Sequence, residues 1–221
     1  MEQYVQEVRQ RFAERGNPAV AEAQMAYMKH HFAFFGLKMP VWRAISKDIF
    51  QQYPMPNPQE LTRVVEQCYN DEHREMHYFA LELTERCIKK QPPEAIELLE
   101  WLIVTNSWWD SVDWIAKMTG IHFRRYPDLV IPTTERWMAS NNMWLQRVCV
   151  IFQLHYKAKT DSELLFTYIR QVAHSKEFFL QKAAGWALRQ YAEINPDAVR
   201  QFVATHQLAP LTQREALRKI D

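Results

Sequence analysis

Apolar residues recur along most of the chain at three- and four-residue spacing, the period of amphipathic helices, and no Asn-Gly or Asp-Gly hairpin signal interrupts them. The pattern predicts helices over residues 2–15, 18–31, 40–53, 58–69, 72–90, 93–104, 108–119, 128–139, 143–157, 161–173, 176–193, 196–205 and 213–220. Three starts carry a capping side chain before a proline: Asn17-Pro18, Asn57-Pro58 with Glu60 following, and Asn195-Pro196. Pro40, Pro93 and Pro132 mark further starts. Read as equivalent, Pro18, Pro58, Pro93 and Pro132 are separated by 40, 35 and 39 residues, about the length of a HEAT or armadillo helix pair, although the register is lost after Pro132. The expected fold is therefore all-α, an α-α superhelix of HEAT-like or armadillo type. With no linker or low-complexity tract, residues 1–221 are expected to form a single domain. The concave side of such a solenoid suits a long partner: a peptide, another protein or duplex DNA.

Trp108-Trp109-Asp110-Ser111-Val112-Asp113 breaks the ordinary pattern. Ser107 and Asp110 read as a capping pair, which starts a helix at Trp108. In that register Trp108, Val112, Ile115 and Thr119 form a core stripe, and Trp109, Asp113 and Lys117 form its neighbour. A large indole beside a carboxylate on a polar face is suited to a ligand. The same spacing also fits a helix-helix contact by Trp109 and a surface pair made by Asp113.

Two more helices mix apolar groups with charge. Between Asn141 and Leu154 every residue is apolar or carries an amide except Arg147. An arginine there requires an anion, either a carboxylate such as Asp113 or an external phosphate. Farther on, Phe178, Lys182, Trp186 and Arg189 share one stripe, opposite Leu180, Ala184, Ala187, Leu188 and Tyr191. Cations with flat rings are a reasonable nucleic-acid face. Long side chains lying over a neighbouring helix account for the stripe equally well.

Net charge, at +1, singles out no partner, but its distribution is uneven. Residues 1–100 carry 12 Lys/Arg against 15 Asp/Glu, and residues 101–221 carry 15 against 11. The stretch from Trp114 to Lys159 holds seven basic and two acidic residues, so a polyanion is a permitted partner. No apolar run reaches the roughly 18 residues of a membrane span, and the first residues lack a basic, apolar leader, so a cytoplasmic protein is expected. Cys68, Cys87 and Cys149 are scattered and read as buried reduced thiols. His73-Arg74-Glu75-Met76-His77 misplaces the acid of a zinc-protease motif and is expected to be a solvated helix face, and His30 and His31 diverge on a helix. No metal set and no dinucleotide, P-loop or hydrolase-elbow motif is present.

The residues from Thr105 to Asp113, Asn142-Met143-Trp144-Leu145-Gln146-Arg147, Ser175 to Trp186, and Leu208-Ala209-Pro210-Leu211 with Arg214-Glu215-Ala216 resemble the AlkD family of DNA alkylation repair glycosylases. The likeness extends upstream through Met25 to Phe32 and covers nearly the whole chain in the expected order. It implies a HEAT-like solenoid with a concave basic face that binds duplex DNA and releases N3- or N7-alkylated purines. By position, the resemblance makes Trp109, Asp113 and Trp186 lesion-contacting, Arg147 and Arg189 backbone-facing, and Tyr27, Phe178 and Phe179 contacts beside the DNA. Lys38 is a weaker transfer, and Lys182 joins the DNA face through its place on the Trp186 stripe. No cofactor, metal or obligate protein partner is expected, and the protein is expected to act as a monomer. The competing expectations are a HEAT-type protein scaffold and a DNA binder without excision.

Overall fold

The computed structural model describes residues 2–220, which form thirteen α-helices and no strand. They fall into two compact units, one through Ala95 and one from Ile96 onward. The all-α class expected from the periodicity is the class observed. No described helix is long and apolar enough to cross a membrane.

The first unit is built from α1 (Glu2–Arg15), α2 (Pro18–Tyr27), α3 (Met39–Gln52), α4 (Pro58–Tyr69) and α5 (Arg74–Cys87). The predicted starts at Pro18 and Pro58 are correct, and for the expected reason. The Asn17 side chain accepts from the amides of Ala19 and Val20, while Asn57 and Glu60 form a reciprocal capping box. Val8, Phe12, Ile49, Leu61, Val64, Phe79 and Leu83 are buried together in the core. Each such side chain contributes about 1.5–3 kcal/mol when removed from water.

Helix α2 ends at Tyr27, four residues before its predicted end. Lys29 and His30 take left-handed backbone angles, φ 56° and 58°, which stop the helix. The chain then runs to Gly36, at φ 89°, where a side chain would collide with the backbone of Asn17.

The expected solvated face around His73 and His77 is overturned. Arg74, Glu75 and His77 are all buried, because α5 packs against α1, α3 and α4 and has little free surface at its start. The polar groups are satisfied internally, as burial demands. Glu75 accepts from the amides of Phe35, Gly36 and Leu37 at 3.0, 2.9 and 2.9 Å, and His77 Nε2 lies 2.8 Å from the Asp71 carbonyl. The Arg74 guanidinium stacks 3.8 Å from the Phe32 ring centroid.

The second unit contains α6 (Ala95–Val104), α7 (Trp109–Arg125), α8 (Val130–Ala139), α9 (Met143–Ile151), α10 (Ser162–Val172), α11 (Phe178–Ala192), α12 (Pro196–Thr205) and α13 (Pro210–Leu217). Helix α11 is its centre and packs on α9, α10, α12 and α13. Helix α7 continues six residues beyond the predicted end at Thr119. Gly120 does not terminate it; it lets α7 approach the Phe152 carbonyl at the end of α9. The Tyr156 hydroxyl donates to the Gly120 carbonyl across the same contact, at 2.7 Å. Helix α9 in turn stops at Ile151, earlier than the periodicity predicts.

Candidate functional site

Helix α7 begins at Trp109, with Trp108 as its N-cap, so the Ser107–Asp110 capping pair does not form. The Ser107 hydroxyl donates instead to the Ile103 carbonyl at 2.6 Å, closing the end of α6. Trp108, expected in the core stripe, therefore stands outside the helix and is only partly buried, while the rest of the stripe keeps its register. Val112, Ile115 and Thr119 are fully buried, whereas Trp109 and Asp113 are only partly covered.

Asp113 is bound by Arg147 of α9 through both carboxylate oxygens, with Nε to Oδ1 at 2.7 Å and Nη2 to Oδ2 at 2.9 Å. Arg147 Nη1 also donates to the backbone carbonyl of Phe179 on α11. One guanidinium thus ties three helices together. Its side chain is only 5% exposed, while that of Asp113 is 21% exposed, so the carboxylate still reaches the surface and the cation does not. The carboxylate that the sequence offered as a partner for Arg147 is in place. A bidentate pair holds the carboxylate plane fixed and leaves each oxygen a further acceptor site.

Burial pushes the Asp113 carboxyl above its ordinary value of 3.8, against the opposing pull of Arg147 and with a smaller push from the charge of Asp110. The Arg147 guanidinium lies 5.9 Å from the centroid of the Phe179 ring, which belongs to an aromatic cluster. The Trp108 ring lies 5.3 Å from that of Phe179 and 6.0 Å from that of Trp144, and Trp144 and Phe179 are 5.0 Å apart. Trp108 and Trp144 contribute to this cluster although neither stands out on a polar stripe, so periodicity alone assigns them to packing.

Phe178, Lys182, Trp186 and Arg189 occupy α11 as the stripe predicts, and Phe178 is 57% exposed. Trp186 lies two turns beyond Phe179 on nearly the same face and is partly exposed. Lys182 and Arg189 both pair with Glu215 of α13. Glu215 was not singled out from sequence. The available signal was the one used for Arg147, an ion on the inward stripe of its helix, here beside the buried Thr212 and Ala216.

Tyr27 and Lys38 lie elsewhere, in the first unit. They line an open cavity of about 600 Å³ with Gln24, Met28, Phe34 and Tyr78, and Tyr27 is 68% exposed. The three cysteines are buried free thiols, and burial raises the pKa of each. Among the described residues no group of three or more His, Cys, Asp or Glu is arranged to hold a metal.

The site is thus that of an all-α protein with a partly exposed carboxylate fixed by a buried arginine, one helical turn from a partly covered tryptophan. The family model for DNA alkylation repair enzymes matches residues 8–220, and the chain belongs to that family. A solved structure described as a predicted DNA alkylation repair enzyme from Enterococcus faecalis is similar at 32% identity and a TM-score of 0.87, over 93% of this chain and 96% of that one. No curated protein matches.

Proposed function

We propose that this DNA alkylation repair protein is a monofunctional DNA glycosylase that hydrolyses the N-glycosidic bond of N3- and N7-alkylated purines in duplex DNA. The observation that carries the reading is the Asp113 carboxylate, partly exposed, held at both oxygens and set one turn beyond Trp109. An N3- or N7-alkylated purine is already cationic, so it departs without a proton from the enzyme. As the C1′–N bond breaks, its electron pair neutralises the base and positive charge moves to the sugar. A fixed carboxylate near C1′ stabilises that charge and orients the water that adds there and gives up a proton. Arg147 positions the carboxylate. Trp109 and Trp186 hold the cationic base and sugar through ring-face contacts worth about 0.5–2 kcal/mol each. This chemistry requires no pocket for an everted base.

A second reading, DNA binding without excision, is favoured by one feature: both Asp113 oxygens are already engaged by Arg147. Incubation with methylated duplex DNA separates the two. Release of free 7-methylguanine is the expected result. Binding without release would establish the passive reading, and failure to bind duplex DNA would leave a protein scaffold.

A further inference from the structure

Trp186 sits on α11 with Lys182 one turn before it and Arg189 one turn after, and both cations reach a single carboxylate. Lys182 Nζ lies 2.9 Å from Glu215 Oε1, and Arg189 Nη1 lies 2.5 Å from Glu215 Oε2. The anion is deeper than its partners, with side-chain exposures of 11% for Glu215, 20% for Arg189 and 37% for Lys182. Its seat is tightly specified. A Cβ at Gly185 would come 2.5 Å from Glu215 Cβ and 3.0 Å from the Thr212 carbonyl, and Thr212 Oγ1 donates to the Gln181 carbonyl at 3.0 Å. Helix α13 is therefore held against α11 immediately beside Trp186.

The carboxylate does not use up the cations. An ammonium has three N–H donors and a guanidinium five, and Glu215 takes one from each. Glu193, whose charge also bears on Arg189, is paired with Lys219, so Lys182, Arg189 and Glu215 remain a net positive group whose more exposed members are the cations. A solvent-side phosphate meets them before it meets Glu215. Free lysine and arginine side chains must be ordered when they bind a phosphate, and Glu215 orders both beforehand.

We infer that Glu215 is a positioning residue, whose carboxylate holds Lys182 and Arg189 as a preset pair of phosphate ligands astride Trp186 and thereby governs excision from the bound complex more than affinity for duplex DNA. The inference rests on the glycosylase reading. Lys182 above all, and then Arg189, holds the Glu215 carboxyl below its ordinary value of 4.5, which keeps it anionic at neutral pH. Loss of that charge makes the surface more attractive to DNA but frees the two cations, so affinity and rate separate.

Glu215→Gln tests this, with duplex affinity and single-turnover release of 7-methylguanine at saturating protein as readouts. The expected variant binds undamaged duplex at least as tightly as the wild type and excises about tenfold more slowly or worse. An excision rate within twofold of wild type, or a clear loss of duplex affinity, would overturn the inference. Glu215→Asp keeps the charge on a shorter arm and is read the same way should the Gln variant not fold: retained affinity with slower excision is expected, and an unchanged rate refutes the positioning role. A wild-type protein that releases no base sinks the glycosylase reading and this inference with it. An active wild type with an unaltered variant sinks the inference alone.

Discussion

Arg147 and Asp113, 34 residues apart in sequence, form a two-point ion pair in which the cation is the more buried partner. That asymmetry organises the site. A buried arginine must be neutralised, and the carboxylate that does so sits in a side chain still 21% exposed.

Asp113→Asn is expected to lower base release by about 10²–10³-fold or more, the usual cost of losing a fixed charge aimed at the transition state. It also leaves Arg147 without its counter-charge. Stability should therefore fall by roughly 2–3 kcal/mol, moderated by the partial exposure of the pair. Single-turnover excision and thermal denaturation together check this, and near-normal excision would exclude electrostatic stabilisation by Asp113.

Arg147→Ala should shift the pH profile. Burial raises the Asp113 carboxyl and Arg147 opposes the rise, so removing the arginine lets the pKa climb further. In the proposed mechanism, excision needs the ionised form. Activity is lost as pH falls through the pKa of the folded protein, so the acid limb of the rate profile should move to higher pH in the variant. An acid limb at the wild-type position would show that Asp113 is not the group titrating.

Arg189→Ala should weaken binding to duplexes of every sequence and flatten the dependence of log affinity on log salt by about one phosphate contact. Arg189 is partly exposed and retains donors beyond its bond to Glu215, so its loss should register in the salt slope. An unchanged slope would make it a purely internal partner.

Selectivity follows from charge. The proposed mechanism gives the departing base no proton, and a neutral base needs one in order to leave. Matched duplexes should lose N3-alkyladenine and N7-alkylguanine and retain uracil and hypoxanthine. Efficient removal of either neutral base would demand an acid that this mechanism does not contain.

Gly120→Ala should destabilise the protein by about 1–3 kcal/mol, because the added methyl meets the Phe152 carbonyl at the α7–α9 contact. In an exposed helix the same change stabilises by roughly 0.5–1 kcal/mol. The sign of the shift in thermal midpoint is the test.

The sequence by itself determined the helical class, the capped starts at Pro18, Pro58 and Pro196, and the buried Val112-Ile115-Thr119 stripe beside the partly covered Trp109 and Asp113. These depend on caps and periodicities that act within about four residues, and such interactions are written locally. The site residues were legible as types on a stripe, but their partners were not. Arg147 had two admissible anions, and only the packing of α7, α9 and α11 brings Asp113 to it. Glu215 meets Arg189 across 26 residues because α13 folds back onto α11, and nothing local marks that return. Tertiary packing likewise buried Arg74, Glu75 and His77, carried α7 through Gly120 and turned the Ser107 hydroxyl back to α6. In each case the deciding energy was the cost of leaving a polar group or a volume unmatched inside the fold, which depends on which helices meet.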